Sequence, residues 1–501
     1  MKDRNGLAVI DMNMIGNKFF NKTCILIIAA VIVVIAAALY TLWAQGCFLP
    51  KWIEWESGTS YDQSGQYEIL LARRKIKVKY NDTVIWTSPE GVKVQKVLSC
   101  DIDNDQKDEL ILLCWKVGRY GKYKPFWVEK DEQKWSQHIF VYEYDNGVIR
   151  PKWMSSYIGQ DVADMAVSSD TDSLKRLFLT DPYGKISCWI WDSWGFTKEE
   201  KSVTFTVFGD NIIHEPIYRY GINNDEFFGF LFENLEDVIS ESDVAIINQE
   251  TPLVDDPSMY SDYPRFGTPV GVGQAIVDAG FDVVTCATNH ALDKGTWGVE
   301  FTRNFFGSNN IVCLGTQSED EMDYAPYQIL EKNGIRFALL NYTYGTNGIR
   351  IPDENPNMVH LLDDEEKIRD DVNKARIDAD FVIVFVHWGT ENSTQIDDFQ
   401  REWSQVFLEE KVDAVIGTHP HVSQPYEILT GENGHQMLIY YSIGNYISAQ
   451  PEKSCVKGGM AQFTVSLTPK GYEITEYSLQ PLTITWGEGG RYTVKLQKHE
   501  P

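Results

Sequence analysis

Between residues 203 and 480 short apolar strands alternate with amphipathic helices, and strand after strand runs out into a small polar motif. Alternation of this kind restricts the segment to an α/β domain with a largely parallel sheet. Such sheets do their chemistry in the crevice beyond the carboxyl ends of their strands. The motifs at those ends are Gly209-Asp210, Asn248-Gln249-Glu250, Asn289-His290 with Asp293, His387-Trp388-Gly389 with Glu391, Gly417-Thr418-His419-Pro420-His421 with Gln424, and Gly444-Asn445. Four of the nine histidines lie in them.

Apolar runs predict strands at 203–208, 244–247, 282–286, 311–314, 327–330, 335–342, 381–386, 413–416 and 438–442, with further strands after Gly458. Helical spacing is expected at 226–240, 273–279, 297–306, 364–375 and 400–411. Lys332-Asn333-Gly334 is expected to turn a hairpin, because Asn-Gly suits the left-handed conformation of a two-residue loop.

The motif side chains share a chemistry. Asp210 and Glu250 offer carboxylate oxygens, Asn289 an amide oxygen, and His387, His419 and His421 imidazole nitrogens. Mixed oxygen and nitrogen ligation suits Mn, Fe or Zn better than Ca or Mg. A carboxylate such as Glu250 can bridge two such ions. His290, adjacent to a ligand candidate, is placed to protonate a leaving group, with Asp293 either orienting it or capping a helix. Asn248, Trp388, Glu391, Gln424 and Asn445 are candidates for substrate binding or for support of the ligands, Trp388 as a wall of the pocket.

In this order the motifs resemble those of the poly-gamma-glutamate capsule-synthesis (CapA-type) family, over somewhat more than half the chain. That family is similar to the calcineurin-like metallophosphoesterases. The resemblance implies a four-layer α/β/β/α metallophosphoesterase-like sandwich over residues 203–480, holding one or two divalent ions. It implies Asn289, His387 and His419 on one ion, Asp210 and His421 on the other, Glu250 between them, and His290 as catalytic acid. The chain departs from the phosphoesterase pattern in two places. Ile212 stands where a His follows the first Asp, with His214 out of phase, and Glu250 replaces the usual Asp.

The preceding segment is different in kind. Residues 24–44 carry no charge and are long enough to cross a bilayer. Lys2, Arg4, Lys18 and Lys22 before them place residues 1–23 in the cytoplasm and everything after about Gly46 outside. A cleaved leader is the alternative. Residues 51–200 read as an all-β, propeller-like region with strands at 67–72, 75–80, 97–100, 109–115, 138–144, 177–180 and 186–190. Within it Asp101, Asp103, Asp105 and Asp108 resemble the Asp-rich calcium loop of FG-GAP propeller repeats, with an acidic hairpin free of metal as the alternative. Residues 481–501 are expected to be a C-terminal strand and tail.

A formal net charge of −27 leaves no excess of Lys and Arg for nucleic acid. Cys286 and Cys313 lie in apolar runs and read as buried thiols; a Cys100–Cys114 bridge is left open. His138, His435 and His499 read as surface residues. The expectation is a single-pass membrane protein, the bulk of it extracytoplasmic, in synthesis or export of an anionic capsule or envelope polymer, with a metal-dependent hydrolase-like site. A membrane synthase or export partner is implied, and Arg265 and Lys294 are candidates to receive polymer carboxylates. The alternatives are a non-catalytic binding accessory and a general extracytoplasmic metallophosphoesterase.

Overall fold

The structure is a computed structural model. It describes residues 22–120, 126–145, 147–155, 158–168, 175–199, 201–224, 228–318, 323–432, 434–487 and 490–497. Lys2, Arg4, Lys18, His499 and part of the 161–196 segment lie outside these residues. The chain divides into two compact units, 1–198 and 199–501.

The first unit begins with the helix Lys22–Ala44, of which Leu26–Ala44 is apolar and long enough to cross a membrane. A leader sequence meets the same test of length and composition. Three four-stranded antiparallel sheets follow in succession: Gly58–Tyr61 to Thr83–Thr87, Lys93–Cys100 to Val148–Met154, and Asp164–Val167 to Gly195–Glu199. The middle sheet is apolar on both faces. Leu110, Leu112 and Cys114 pack toward the first sheet, Ile111 and Leu113 toward the third. Period-two alternation thus serves two cores from one strand. Cys100 belongs to the second of these cores and Cys114 to the first, so the bridge left open between them does not form. His138 is not a surface residue. It is fully buried, 2.9 Å from both Ser136 Oγ and the Ser155 carbonyl.

The second unit is built on two mixed sheets rather than one largely parallel sheet. In one, Val312–Leu314, Val283–Thr285, Val244–Gln249 and Ser202–Asn211 run parallel, and Lys457–Thr468, Gly471–Trp486 and Tyr492–Leu496 continue antiparallel. In the other, Ile335–Thr343, Phe381–His387, Ala414–Thr418 and Gln436–Tyr440 are parallel, with antiparallel edges at Tyr327–Lys332 and Tyr426–Thr430. Asn333 and Gly334 both have positive φ (52° and 70°), and Lys332 pairs with Ile335, the geometry of a two-residue hairpin loop.

Three cores stack the layers. Val203, Phe205 and Val244 meet Phe337, Phe381 and Ile383 between the sheets. Helices Val270–Ala279 and Gly295–Ser308 cover the outer face of the first sheet, and Glu365–Asp378 and Asp398–Glu409 that of the second. The architecture is therefore an α/β/β/α sandwich. The helix expected at 226–240 is instead a 3-10 turn, Gly229–Leu231, and a short helix, Glu236–Glu241. Phe228 sits at φ 57°, a left-handed conformation that a continuous right-handed helix cannot accommodate.

Candidate metal centre

Strand parity decides which motif side chains meet. Along Phe381–His387, Phe381, Ile383 and Phe385 face the inter-sheet core, while Val382, Val384 and Val386 face the helices. His387 continues the first series and arrives at the inter-sheet edge. Trp388 continues the second. It is fully buried against Phe407, with its Nε1–H donating to the Tyr441 carbonyl at 2.9 Å. Trp388 is therefore a core residue and not a pocket wall.

On Ser202–Asn211 the parity changes. Val203, Phe205 and Val207 face the other sheet and Phe208 the helices, so strict alternation would send Asp210 with Phe208. The register skips Gly209: Phe208 pairs with Ile247, and Asp210 with Asn248. This bulge re-aims Asp210 toward the inter-sheet side, where Asn248 follows Val244 and Ile246. A Cβ on Gly209 would lie 1.8 Å from the Gly444 carbonyl oxygen, and one on Gly417 would lie 2.0 Å from that of Tyr441. The motif glycines let the 441–445 segment run against both strand ends.

The side chains so delivered form one buried cluster. Asp210 Oδ1 accepts from Asn248 Nδ2 at 2.8 Å, and Asp210 Oδ2 from the His419 amide at 3.2 Å, with His421 Nδ1 3.0 Å away. Asn289 Oδ1 lies 3.0 Å from His387 Nε2, which is 3.8 Å from Glu250 Oε1, and His387 Nδ1 is 3.0 Å from Thr418 Oγ1. One ligand atom each from Asp210, Glu250 and His421 lie within 4.8 Å of one another; the same holds for Glu391, His419 and His421. His290 Nδ1 donates to Asp293 Oδ2 at 2.7 Å, and that oxygen also accepts the Phe266 amide at 2.8 Å. The following helix begins at Gly295 with Lys294 as its N-cap, so Asp293 orients His290 rather than capping.

The electrostatics are those of a cation site. Glu250 is fully buried, and both its carboxylate oxygens lack a hydrogen-bond partner, as does His419 Nδ1. Buried polar atoms are otherwise paired, and an orphaned carboxylate beside another carboxylate is costly. Burial, then the charges of Asp210 and Glu391, push the Glu250 carboxyl well above its usual range. Burial and neighbouring imidazoles hold His387 and His419 well below theirs, keeping them neutral. Neutral imidazoles, an amide oxygen and carboxylates at this spacing fit a divalent ion, and the orphaned atoms are the ones such an ion would satisfy.

The remaining candidates support this cluster. Gln424 Nε2 donates to the carbonyls of Ser393 and Gln395, and its Oε1 accepts from Gln400, fastening the loop that carries Glu391. Asn445 Nδ2 donates to Gln450 Oε1, Ser448 Oγ and the Cys455 carbonyl, bracing the segment that follows it. Lys294 Nζ and the Arg265 carbonyl both bond Ser261 Oγ, so the Arg265 loop is tied to the N-cap of the helix that follows Asp293. Two contributors escaped the sequence reading. Asn341 Oδ1 accepts the amides of Cys286 and Ala287, and the Tyr344 ring lies tilted against His419, 4.6 Å between centroids, and bonds Asn289. Both lie in a polar run, Asn341-Tyr-Thr-Tyr344, at the end of a strand, the signal that marked the other motifs.

Residues 204–450 match the family model described as bacterial capsule synthesis protein PGA_cap. This stretch belongs to that family. The chain is similar to the PGA biosynthesis protein CapA of Bacillus subtilis (strain 168), 26% identical over 263 residues, covering 50% of this chain and 66% of that protein. It is also similar to the capsule biosynthesis protein CapA of Bacillus anthracis, 25% identical over 313 residues, covering 60% and 72%. The chain thus spans about two thirds of the length of the curated relatives it matches. Among solved structures, a calcineurin-like phosphoesterase, YfkN, of Bacillus subtilis aligns with a TM-score of 0.33 at 13% identity, covering 56% of this chain and 90% of that one. A novel phosphatase of Mycoplasma pneumoniae aligns with a TM-score of 0.36 at 13% identity, covering 56% and 93%.

In the first unit the Asp-rich loop differs from the expected calcium site. Asp101, Asp103 and Glu109 group together, and Lys152 Nζ bonds Asp103 Oδ2 and, at 2.6 Å, Glu109 Oε1. An ammonium group thus sits where a cation would. Asp105 Oδ1 accepts the Lys107 amide, and Asp108 Oδ2 accepts the Gln63 amide and bonds Ser99, so neither joins the group.

Proposed function

We propose that this chain is a membrane-anchored, extracytoplasmic protein of capsule or envelope polymer biosynthesis whose second unit is a metal-dependent hydrolase. The observation that carries the reading is the buried cluster of Asp210, Glu250, Asn289, His387, His419 and His421, with the Glu250 oxygens and His419 Nδ1 left without partners. A divalent ion there, Mn, Fe or Zn, would supply Lewis-acid activation of a water nucleophile and of the scissile phosphate or amide. Asn289, His387 and His419 are the proposed ligands of one ion, Asp210 and His421 of a second, with Glu250 between. His290, its Nδ1 held by Asp293, directs Nε2 to the leaving group and donates its proton there. Arg265 and Lys294 would receive carboxylates of a poly-gamma-glutamate-like polymer, which offsets the acidity of the chain as a whole. The helix Lys22–Ala44 would hold the chain in the membrane beside a synthase or export partner, with the three-sheet, propeller-like region outside.

The test uses the full chain in detergent, reconstituted with Mn and assayed on a generic phosphodiester and on poly-gamma-glutamate. His290→Gln should lower kcat by about 10²–10⁴-fold with metal content unchanged, the range for loss of a general acid. Bound metal with no turnover of either substrate in the wild type would leave a non-catalytic polymer-binding role. That second reading is favoured by Ile212, which removes one ligand of the phosphoesterase pattern.

A further inference from the structure

Ile212 is buried, has no lone pair to offer, and donates its backbone N–H to the Ile447 carbonyl at 3.0 Å. The nearby imidazole does not take its place. His214 Nδ1 accepts the Ala449 amide at 3.2 Å and its ring stands edge-on to Phe266 at 5.2 Å. Among the described residues His214 is in neither of the two ligand groups of this site. Glu391 is. One of its oxygens lies within 4.8 Å of ring nitrogens of His419 and His421, and His421 is common to both groups.

We propose that Glu391 is a metal ligand, supplying from the loop after His387-Trp388-Gly389 the coordination that position 212 lacks. The inference rests on the metal-site reading above and adds a ligand to it.

The loop is built to hold Glu391 there. Gly389 has φ 89°, and the Asn392 amide donates to the Pro420 carbonyl at 2.8 Å, stapling the loop to the turn that carries His419 and His421. Gln424 and the Thr390–Asp397 hydrogen bond secure its far side. His419, itself buried, has an unpartnered Nδ1. Three carboxylates, Asp210, Glu250 and Glu391, then each place an oxygen within 4.8 Å of a His421 ring nitrogen, and Glu391 does so for His419 as well. Such a donor set balances the charge of divalent ions more fully than Asp210 and Glu250 do alone. The position also explains why Glu391 is exposed: unlike the strand-borne ligands it approaches from the solvent side, on a loop.

The experiment is Mn(II) titration of the full chain by calorimetry and electron paramagnetic resonance, with metal content by mass spectrometry. It compares wild type, Glu391→Gln and Glu391→His. Gln keeps the size and removes the ligand charge; His restores a ligand. Loss of a supporting group around a metal already weakens binding about 10–100-fold, so loss of a direct ligand should weaken one site by at least about 100-fold. Glu391→Gln is expected to lose one equivalent, or to weaken a single wild-type equivalent by that factor, while Glu391→His retains it. Melting of the metal-free Glu391→Gln protein should be no lower than that of wild type, since the residue is exposed and its charge adds to the repulsion within the site. Wild-type stoichiometry and affinity in Glu391→Gln would overturn the assignment and leave the metal-site reading intact. A wild-type protein that takes up no metal would overturn both.

Discussion

Replacing Glu250 by Gln should stabilise the metal-free protein and abolish its stabilisation by metal. Glu250 and Asp210 place carboxylate oxygens within 4.8 Å of each other. At an effective dielectric near 20 two charges at that separation repel by about 3.5 kcal/mol. Without a cation the protein must either bear that repulsion or hold Glu250 protonated, and its carboxyl is pushed well above the usual range. Gln has the same shape and neither cost. At pH 8 the metal-free variant should therefore be more stable than wild type, by up to about 3 kcal/mol. Saturating metal acts in the opposite direction. An ion at about 100 times its dissociation constant stabilises wild type by about 2.7 kcal/mol, an upward shift of roughly 4 °C for a unit of this size. Glu250→Gln loses the carboxylate proposed to bridge the ions and should show little of that shift. The assay is thermal denaturation of both proteins with EDTA and with excess Mn(II). The two orders of stability should cross. A variant less stable than wild type in EDTA, yet raised by Mn(II) to the same extent, would refute the argument that this carboxylate pair exists to hold a cation.

Gly209→Ala should be among the most damaging single-methyl changes in the chain, because the new Cβ would lie 1.8 Å from the Gly444 carbonyl oxygen, a backbone atom that cannot rotate away. A loss above about 4 kcal/mol is expected, read as failure to accumulate folded protein or as a large fall in Tm, and near-wild-type stability would refute it. His138 makes the first unit acid-sensitive. Burial holds its imidazole down to about 4 from an ordinary 6.5. The contribution is fully present above pH 6.5 and is lost as pH falls through 4, by about 3 kcal/mol in all. Urea unfolding of the first unit in the full chain, followed at pH 7.5 and 4.5, should show this loss in wild type and a smaller one in His138→Gln; equal losses would exclude His138 as the cause.

Local chemistry is what the sequence determined. The Asn333-Gly334 loop, the all-β character of residues 51–199, the strands at Tyr67–Ala72 and Lys75–Tyr80, and the apolar span before Ala44 are each set by neighbours within a few residues, through turn conformation, side-chain alternation or continuous apolarity. The polar motifs at strand ends were legible for the same reason, since each marks the point where an apolar run gives way to polar residues. Direction and partnership were not legible. Trp388 turns to the helix layer because it is one residue past His387 on a strand that serves two cores. Asp210 faces the site only because Gly209 is bulged out of a register set by Val244–Gln249. Lys152, some forty residues from Glu109, pairs with both Glu109 and Asp103 of the Asp-rich loop. Glu391 joins His419 and His421 through a loop tied to Pro420. Each of these depends on which distant segment packs alongside, and only tertiary structure decides that, because the energies that choose a face or a partner arise between strands rather than along them.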